Sequence, residues 1–342
     1  MSRNRRPKAS ATDFRLHRRL PAFALLLLPL SIAHAQDPQP SPPQLPTQLV
    51  TMSLIVTDKN HHSVDEVRQE EIQIKDDKQT PAIVSFSKDT RSVDYEVVLD
   101  TTGSFRKVLG TVLEAAKSLV NANHADDETF LETFVDSDKI ANLLEFTSDK
   151  IKLNKALDSL FVQGGQSAII DAVYMAIQHT AEYRKGSAER RRALVLFTDG
   201  EDRASYYTSD KLVKLLREND VQVFIVGLVK QLDKHSSTNR MSPREKAELL
   251  LNRIAEESGG RVFFPEDLQE MATAIAEIQH DLHSQYLIAF ETQTKTGEEG
   301  FRKVEFKVSS SDGHEKLTAV TRPGYSVNVP PVVPKASEKK SP

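Results

Sequence analysis

The sequence predicts a doubly wound α/β fold with a mainly parallel sheet, flanked by a β-sandwich-like unit that N- and C-terminal strands build together. Three observations carry this. From Tyr95 to Asp281, strand-like apolar runs alternate with stretches of helical periodicity, the pattern of a parallel sheet covered by helices. Within it, Val93–Leu99, Ala193–Phe197 and Val221–Gly227 are mostly apolar, as strands buried on both faces are. Strand-rich segments precede and follow this region, and because small sheets need a partner layer, the two segments are expected to pair.

In chain order, residues 1–35 read as an export signal. Arg3, Arg5, Arg6, Lys8, Arg15, Arg18 and Arg19 precede the apolar run Ala22–Leu28, and Ala33-His34-Ala35 is a small-x-small cleavage pattern. Pro21 and Pro29 interrupt that run, which falls short of the roughly 20 apolar residues of a membrane span. Cleavage removes seven basic residues and one acid, Asp13, taking the formal net charge from −4 to about −10. An acidic mature chain disfavours nucleic-acid and anionic-membrane binding, which need a basic footprint. The chain has no cysteine, so disulfides, lipid attachment at a terminal cysteine, thiolate metal sites and cysteine nucleophiles are excluded. Export therefore leads to the periplasm, the cell surface or the medium, with stability supplied by packing.

Residues 36–48 form a proline-rich linker. In the β-rich segment 49–92, Leu49–Thr57, Glu71–Lys75 and Ala82–Ser87 alternate or are β-branched, with Asp58-Lys59-Asn60 and Asp76-Asp77-Lys78 as turns. The α/β domain spans 93–283. Its expected strands are 95–99, 129–135, 192–198, 221–228 and 261–264, and its expected helices 105–121, 149–160, 168–183, 209–219, 243–257 and 267–281. A C-terminal β segment, 284–327, supplies strands 285–291, 302–309 and 316–321 to pair with 49–92, and 328–342 is a polar tail expected to be disordered.

One strand ends in a distinctive turn, Asp100-Thr101-Thr102-Gly103-Ser104, where a carboxylate is followed by hydroxyls at every second position. Mg²⁺ takes oxygen ligands in octahedral geometry from one or two carboxylates, and this turn supplies such donors. Ordinary turns have similar composition, so the reading depends on other loops. In open parallel sheets ligands bind beyond the carboxyl ends of the strands. Two further loops belong there: Gly164-Gly165-Gln166-Ser167 before a helix, and Thr198-Asp199-Gly200-Glu201-Asp202 after the most apolar strand.

At these residues the chain resembles the von Willebrand factor type A (VWA) domain with its metal-ion-dependent adhesion site. The resemblance implies a Rossmann-like fold and a divalent cation, Mg²⁺ with Mn²⁺ or Ca²⁺ as substitutes, held by Asp100, Thr102, Ser104, Ser167 and Asp199. Thr102 stands where the family commonly has Ser, and Ser167 where it commonly has Thr; both keep the hydroxyl. Strand 51–57 with Asp58, Ile83–Ser87, Gln285–Ala289 and Arg322-Pro323-Gly324-Tyr325 extend the resemblance to an exported bacterial group common in acidobacteria. The family implies a binding module rather than an enzyme, with a partner protein's Asp or Glu completing the metal's coordination.

Other readings are weaker. The Asp100 turn lacks the spacing and the second copy an aspartic protease needs. A Mg²⁺-dependent phosphatase with Asp100 as nucleophile would usually carry a second carboxylate where Thr102 stands. A structural or assembly role with a vestigial metal site is the remaining alternative. His280 and His283, three apart with Asp281 between them, are a lone pair without a third ligand and read as surface or helix-end histidines, His61-His62 as a polar turn, and Arg190-Arg191-Arg192 as a solvated connection.

Overall fold

The structure, a computed structural model, describes residues 47–184, 190–233, 241–295, 298–310 and 316–328. The signal-like segment 1–35, almost all of the linker and all of the tail except Asn328 lie outside the described residues. Strands are β1 (Thr47–Thr57), β2 (Ile72–Asp76), β3 (Ile83–Lys88), β4 (Val93–Asp100), β5 (Glu128–Phe134), β6 (Ile140–Thr147), β7 (Arg191–Thr198), β8 (Gln222–Gly227), β9 (Val262–Phe263), β10 (Tyr286–Gln293), β11 (Glu299–Val308), β12 (Thr318–Val320) and β13 (Gly324–Asn328). The α-helices are α1 (Leu109–Ala122), α2 (Lys150–Asp158), α3 (Ile169–Tyr183), α4 (Ser209–Glu218), α5 (Pro243–Ser258) and α6 (Leu268–Ser284).

The central sheet has the order β6-β5-β4-β7-β8-β9. Every pairing in it is parallel except β5 with β6. All eight residues of β4 are buried, because helices cover both faces of this strand. On one face Tyr95, Val97 and Leu99 share a core with Val112 and Leu119 of α1, Leu153 of α2 and Ile275 and Ile278 of α6. On the other, Val98, Leu194 and Ile225 pack with Ile177 of α3, Leu212 of α4 and Leu251 of α5. Each fully buried Leu or Ile of these layers stabilises the fold by roughly 1.5–3 kcal/mol. The layers fix where the strand ends, and hence the loops, can lie.

N- and C-terminal strands mix in two antiparallel sheets, β12-β1-β10-β3 and β13-β11-β2. Met52, Ile288 and Phe290 from the first meet Ile74, Phe306 and Val327 from the second in one apolar core. β1 also reaches the α/β core. Leu54 and Val56 face the sandwich, whereas Ile55 belongs to the core formed with α1 and α6. At one end of the sandwich, Asp76 is fully buried and accepts hydrogen bonds from Thr292, from the Tyr325 hydroxyl at 3.0 Å and from Arg302 at 3.3 Å, which ties the two sheets through polar groups.

Several elements differ from the sequence expectation. Strand β6 is absent from it. This edge strand buries only Phe146 and carries no clean alternation. β13 is also unanticipated, since Pro323 just before it and Gly324 at its start resemble turn residues. The helix expected from 105 to 121 is a 3₁₀ turn, Gly103–Lys107, followed by α1, with Val108 as the junction. Nor is the run Arg190-Arg191-Arg192 a solvated connection. Arg190 donates to Asp94 at 2.6 Å, and Arg191 is 7% exposed at the start of β7, where it donates to the Arg91 and Leu282 carbonyls. Buried acceptors at the foot of the sheet draw both guanidiniums inward.

Candidate metal centre

The site begins with the end of β4. Asp100 follows seven buried strand residues and is itself fully buried, so its carboxylate projects from the sheet edge into the loop layer. Its Oδ1 accepts from the Thr102 amide at 2.9 Å and the Thr102 hydroxyl at 2.6 Å. Its Oδ2 accepts from the Ser167 hydroxyl at 3.1 Å and the Thr198 hydroxyl at 3.1 Å. Thr102 and Ser104 hydroxyl oxygens lie 2.9 Å apart. Asp199, 2% exposed at the end of β7, sits beside the Ser104 hydroxyl and accepts from the Glu201 amide at 3.1 Å.

The structure thus brings Asp100, Thr102, Ser104, Ser167 and Asp199 together from three loops. Parallel pairing of β4 with β7 sets the first and third side by side. The second is drawn in by main-chain contact, the Gln163 amide donating to the Thr101 carbonyl at 2.9 Å. Gly165 has φ +106, and a Cβ there would lie 2.3 Å from Val135 Cγ1, so only glycine lets this loop pass so close to β5. Gly200, at φ +84, turns the third loop directly after Asp199, where a Cβ would lie 2.7 Å from Ala247 Cβ.

Burial pushes the Asp100 carboxyl up to about 6, the Thr102 hydroxyl and amide pulling against it and the Asp199 charge adding to it. Asp199 is also raised, chiefly by burial, with the Ser104 hydroxyl opposing. These are two carboxylates sharing a low-dielectric space. Paired with three hydroxyls, they form an all-oxygen donor set whose two negative charges match a hard divalent cation, so the residues fit Mg²⁺ chemically.

Several nearby residues were not singled out by sequence. Thr198 contributes a third hydroxyl contact to Asp100, beside those of Thr102 and Ser167, its signal being a β-branched hydroxyl immediately before Asp199. Asp171, 2% exposed on α3, accepts from the Tyr206 and Tyr207 amides at 2.7 and 2.8 Å and so staples the third loop to the second. Asp202, three residues after Asp199 on the same loop, accepts from the Ile170 amide at 3.2 Å and from Ser205 at 2.5 Å. It caps the opening of α3 because the first amides of a helix have no partner within it. Arg203 donates to Glu201, and its charge also acts on Asp199.

A six-stranded, mainly parallel sheet covered by helices on both faces, with a hydroxyl–carboxylate cluster at the ends of its central strands, defines a doubly wound α/β domain. The chain belongs to the von Willebrand factor type A domain family, whose profile matches residues 94–279. Among solved structures it is similar to BatB from Bacteroides thetaiotaomicron, at 20% identity over 56% of this chain and 99% of that one, with a TM-score of 0.44. It is similar to a von Willebrand factor type A protein from Catenulispora acidiphila, at 12% identity over 82% and 74% of the two chains, with a TM-score of 0.46. A proximal thread matrix protein from mussel byssus, in a form with a zinc-occupied metal-ion-dependent adhesion motif, shares 16% identity over 61% and 50%, with a TM-score of 0.46. No functionally curated protein matches the chain. Among the described residues, no helix is long and apolar enough to cross a membrane.

Proposed function

We propose that the chain is an exported, metal-dependent protein-binding module that holds Mg²⁺ through Asp100, Thr102, Ser104, Ser167 and Asp199. One coordination position is left for a carboxylate of a partner protein. The observation that carries this reading is the convergence on Asp100 of hydroxyls from three separate loops, with the second carboxylate, Asp199, in the same cluster. Turn chemistry alone would not gather donors from positions so far apart in sequence. VWA domains generally serve as interaction modules, and the exposed rings of Tyr206 and Phe161, on the loops that carry Asp199 and Ser167, give a partner apolar area to bury. Export is inferred from the basic, apolar and small-x-small order of residues 1–35.

A partner's Asp or Glu suits the open position because it is a hard oxygen donor and brings the charge that completes the ion's neutralisation. No reaction is assigned. Asp100 has both carboxylate oxygens committed to four hydrogen bonds and is fully buried, which speaks against a phosphatase nucleophile. Calorimetric titration with Mg²⁺ and Mn²⁺, combined with capture from an envelope extract in Mg²⁺ or EDTA, tests the reading. In Asp199→Ala, Mg²⁺ binding should weaken at least tenfold, about 1.4 kcal/mol, and capture should be lost. Capture that persists unchanged in EDTA and in that variant would favour a structural module with a vestigial site.

A further inference from the structure

At the other end of β4 from Asp100, roughly 20 Å away by strand rise, a second group of ligating side chains meets. His124 and Asp127 lie in the connection between α1 and β5, and His283 lies in the last turn of α6. One ligand atom from each falls within 4.8 Å of the other two. The two imidazole rings stack with centroids 3.9 Å apart, and His283 Nε2 is 3.4 Å from Asp127 Oδ2.

Hydrogen bonding around the group orients it. Asp127 Oδ1 accepts from the Val93 amide at 2.7 Å and Oδ2 from the His124 amide at 2.9 Å, so the main chain fixes the carboxylate on both oxygens. His283 Nδ1 lies 2.9 Å from the Gln279 carbonyl, which can only accept, so the ring donates there. Its neutral form then carries the lone pair on Nε2, the atom that faces Asp127 and, at 3.4 Å, the Tyr95 hydroxyl. An imidazole whose second nitrogen is held by a carbonyl is the usual arrangement of a metal-bound histidine. Burial keeps the Tyr95 phenol un-ionised, leaving it an outer hydrogen-bond donor. The nearby Arg191 is committed to the Arg91 and Leu282 carbonyls and to Asp89.

We propose that His124, Asp127 and His283 bind a borderline divalent transition ion of the Zn²⁺, Ni²⁺ or Cu²⁺ class. Two imidazoles and one carboxylate select such ions over Mg²⁺ and Ca²⁺. Ligand atoms around tetrahedral Zn²⁺ lie about 3.4 Å apart; the His283–Asp127 separation already meets this, and the exposed His124 ring can close the remainder by side-chain rotation. With three protein ligands, a fourth position stays open to water or an external donor. The bound ion would fasten the last turn of α6 to the start of β5.

Titration of the untagged chain with Co²⁺, followed by visible absorption, is the test. The expected result is an intense band of four- or five-coordinate Co²⁺ that Zn²⁺ displaces, that persists in Asp199→Ala, and that is lost in His124→Ala and His283→Ala. Because His124 is exposed, its replacement leaves the core intact and decides the matter even if His283→Ala fails to fold. A wild-type spectrum with only weak six-coordinate absorption, or a band that survives His124→Ala, overturns the proposal.

Discussion

The Ser167 hydroxyl donates to Asp100 Oδ2 at 3.1 Å across a separation of 67 residues, and this bond joins the start of α3 to the end of β4. Ser167→Ala should lower Mg²⁺ affinity measured by calorimetry and cost about 0.5–1.5 kcal/mol of stability, the usual contribution of one such bond. Ser167→Thr keeps the hydroxyl and should preserve most of the affinity; equal losses in both variants would contradict a ligating role.

Asp199→Ala is the cleaner disruption of the proposed Mg²⁺ site. Asp100 is hydrogen-bonded by four donors, so its removal also leaves buried groups unpaired, whereas Asp199 accepts fewer bonds. Mg²⁺ binding should weaken at least tenfold, about 1.4 kcal/mol, with unchanged far-UV circular dichroism.

Gly165→Ala should destabilise the fold by about 1–3 kcal/mol, since the new Cβ meets Val135 Cγ1 and the backbone stays in a left-handed conformation. Adding Val135→Ala should recover the steric part alone. Urea denaturation of the two variants separates these contributions.

Stability should fall as pH rises from about 4.5 to about 8 through Glu96. Burial pushes this carboxyl from 4.5 up to about 8, the Thr180 hydroxyl and Arg192 opposing, so the folded state holds a proton that the unfolded chain has released. Glu132, on the neighbouring strand, is shifted the same way by burial and by Glu96. Glu96→Gln removes the penalty and should gain on the order of 1–3 kcal/mol at pH 9 while changing little at pH 4. Thermal melts at both pH values check the sign; a larger gain at pH 4 would refute it.

Arg302→Met should cost roughly 3 kcal/mol or more, because it leaves the buried Asp76 carboxylate without its cation. The double variant Asp76→Asn with Arg302→Met should lose less than the single one, which denaturant melts would reveal.

Sequence pattern conveys the central sheet and its order of elements because β4, β7 and β8 are buried on both faces and leave nearly unbroken apolar runs. β6 escapes such reading, since an edge strand with one buried side chain has no strong period. Asp100, Thr102, Ser104, Ser167 and Asp199 are readable as candidates because each stands at a strand end or helix start, positions that local pattern locates. Asp171 is not, because an acid inside a helix looks solvated until the amides of Tyr206 and Tyr207 are placed over it. The pairing of His283 with His124 and Asp127 is equally hidden, since it exists only once α6 packs against α1. For the same reason Arg190 and Arg191 look solvated until Asp94 and the Leu282 carbonyl are placed beneath them.

The pairing of β1 with β10 also governs the order in which the protein can assemble. Strand β1 precedes the entire α/β region in sequence, and its partner β10 follows it. Closing so long a loop carries an entropic cost, which folding of the α/β region lowers by delivering the two strands to one another. Without β10 in place, β1 exposes an unpaired edge and the apolar side chains Val50, Met52 and Leu54, which the folded chain buries.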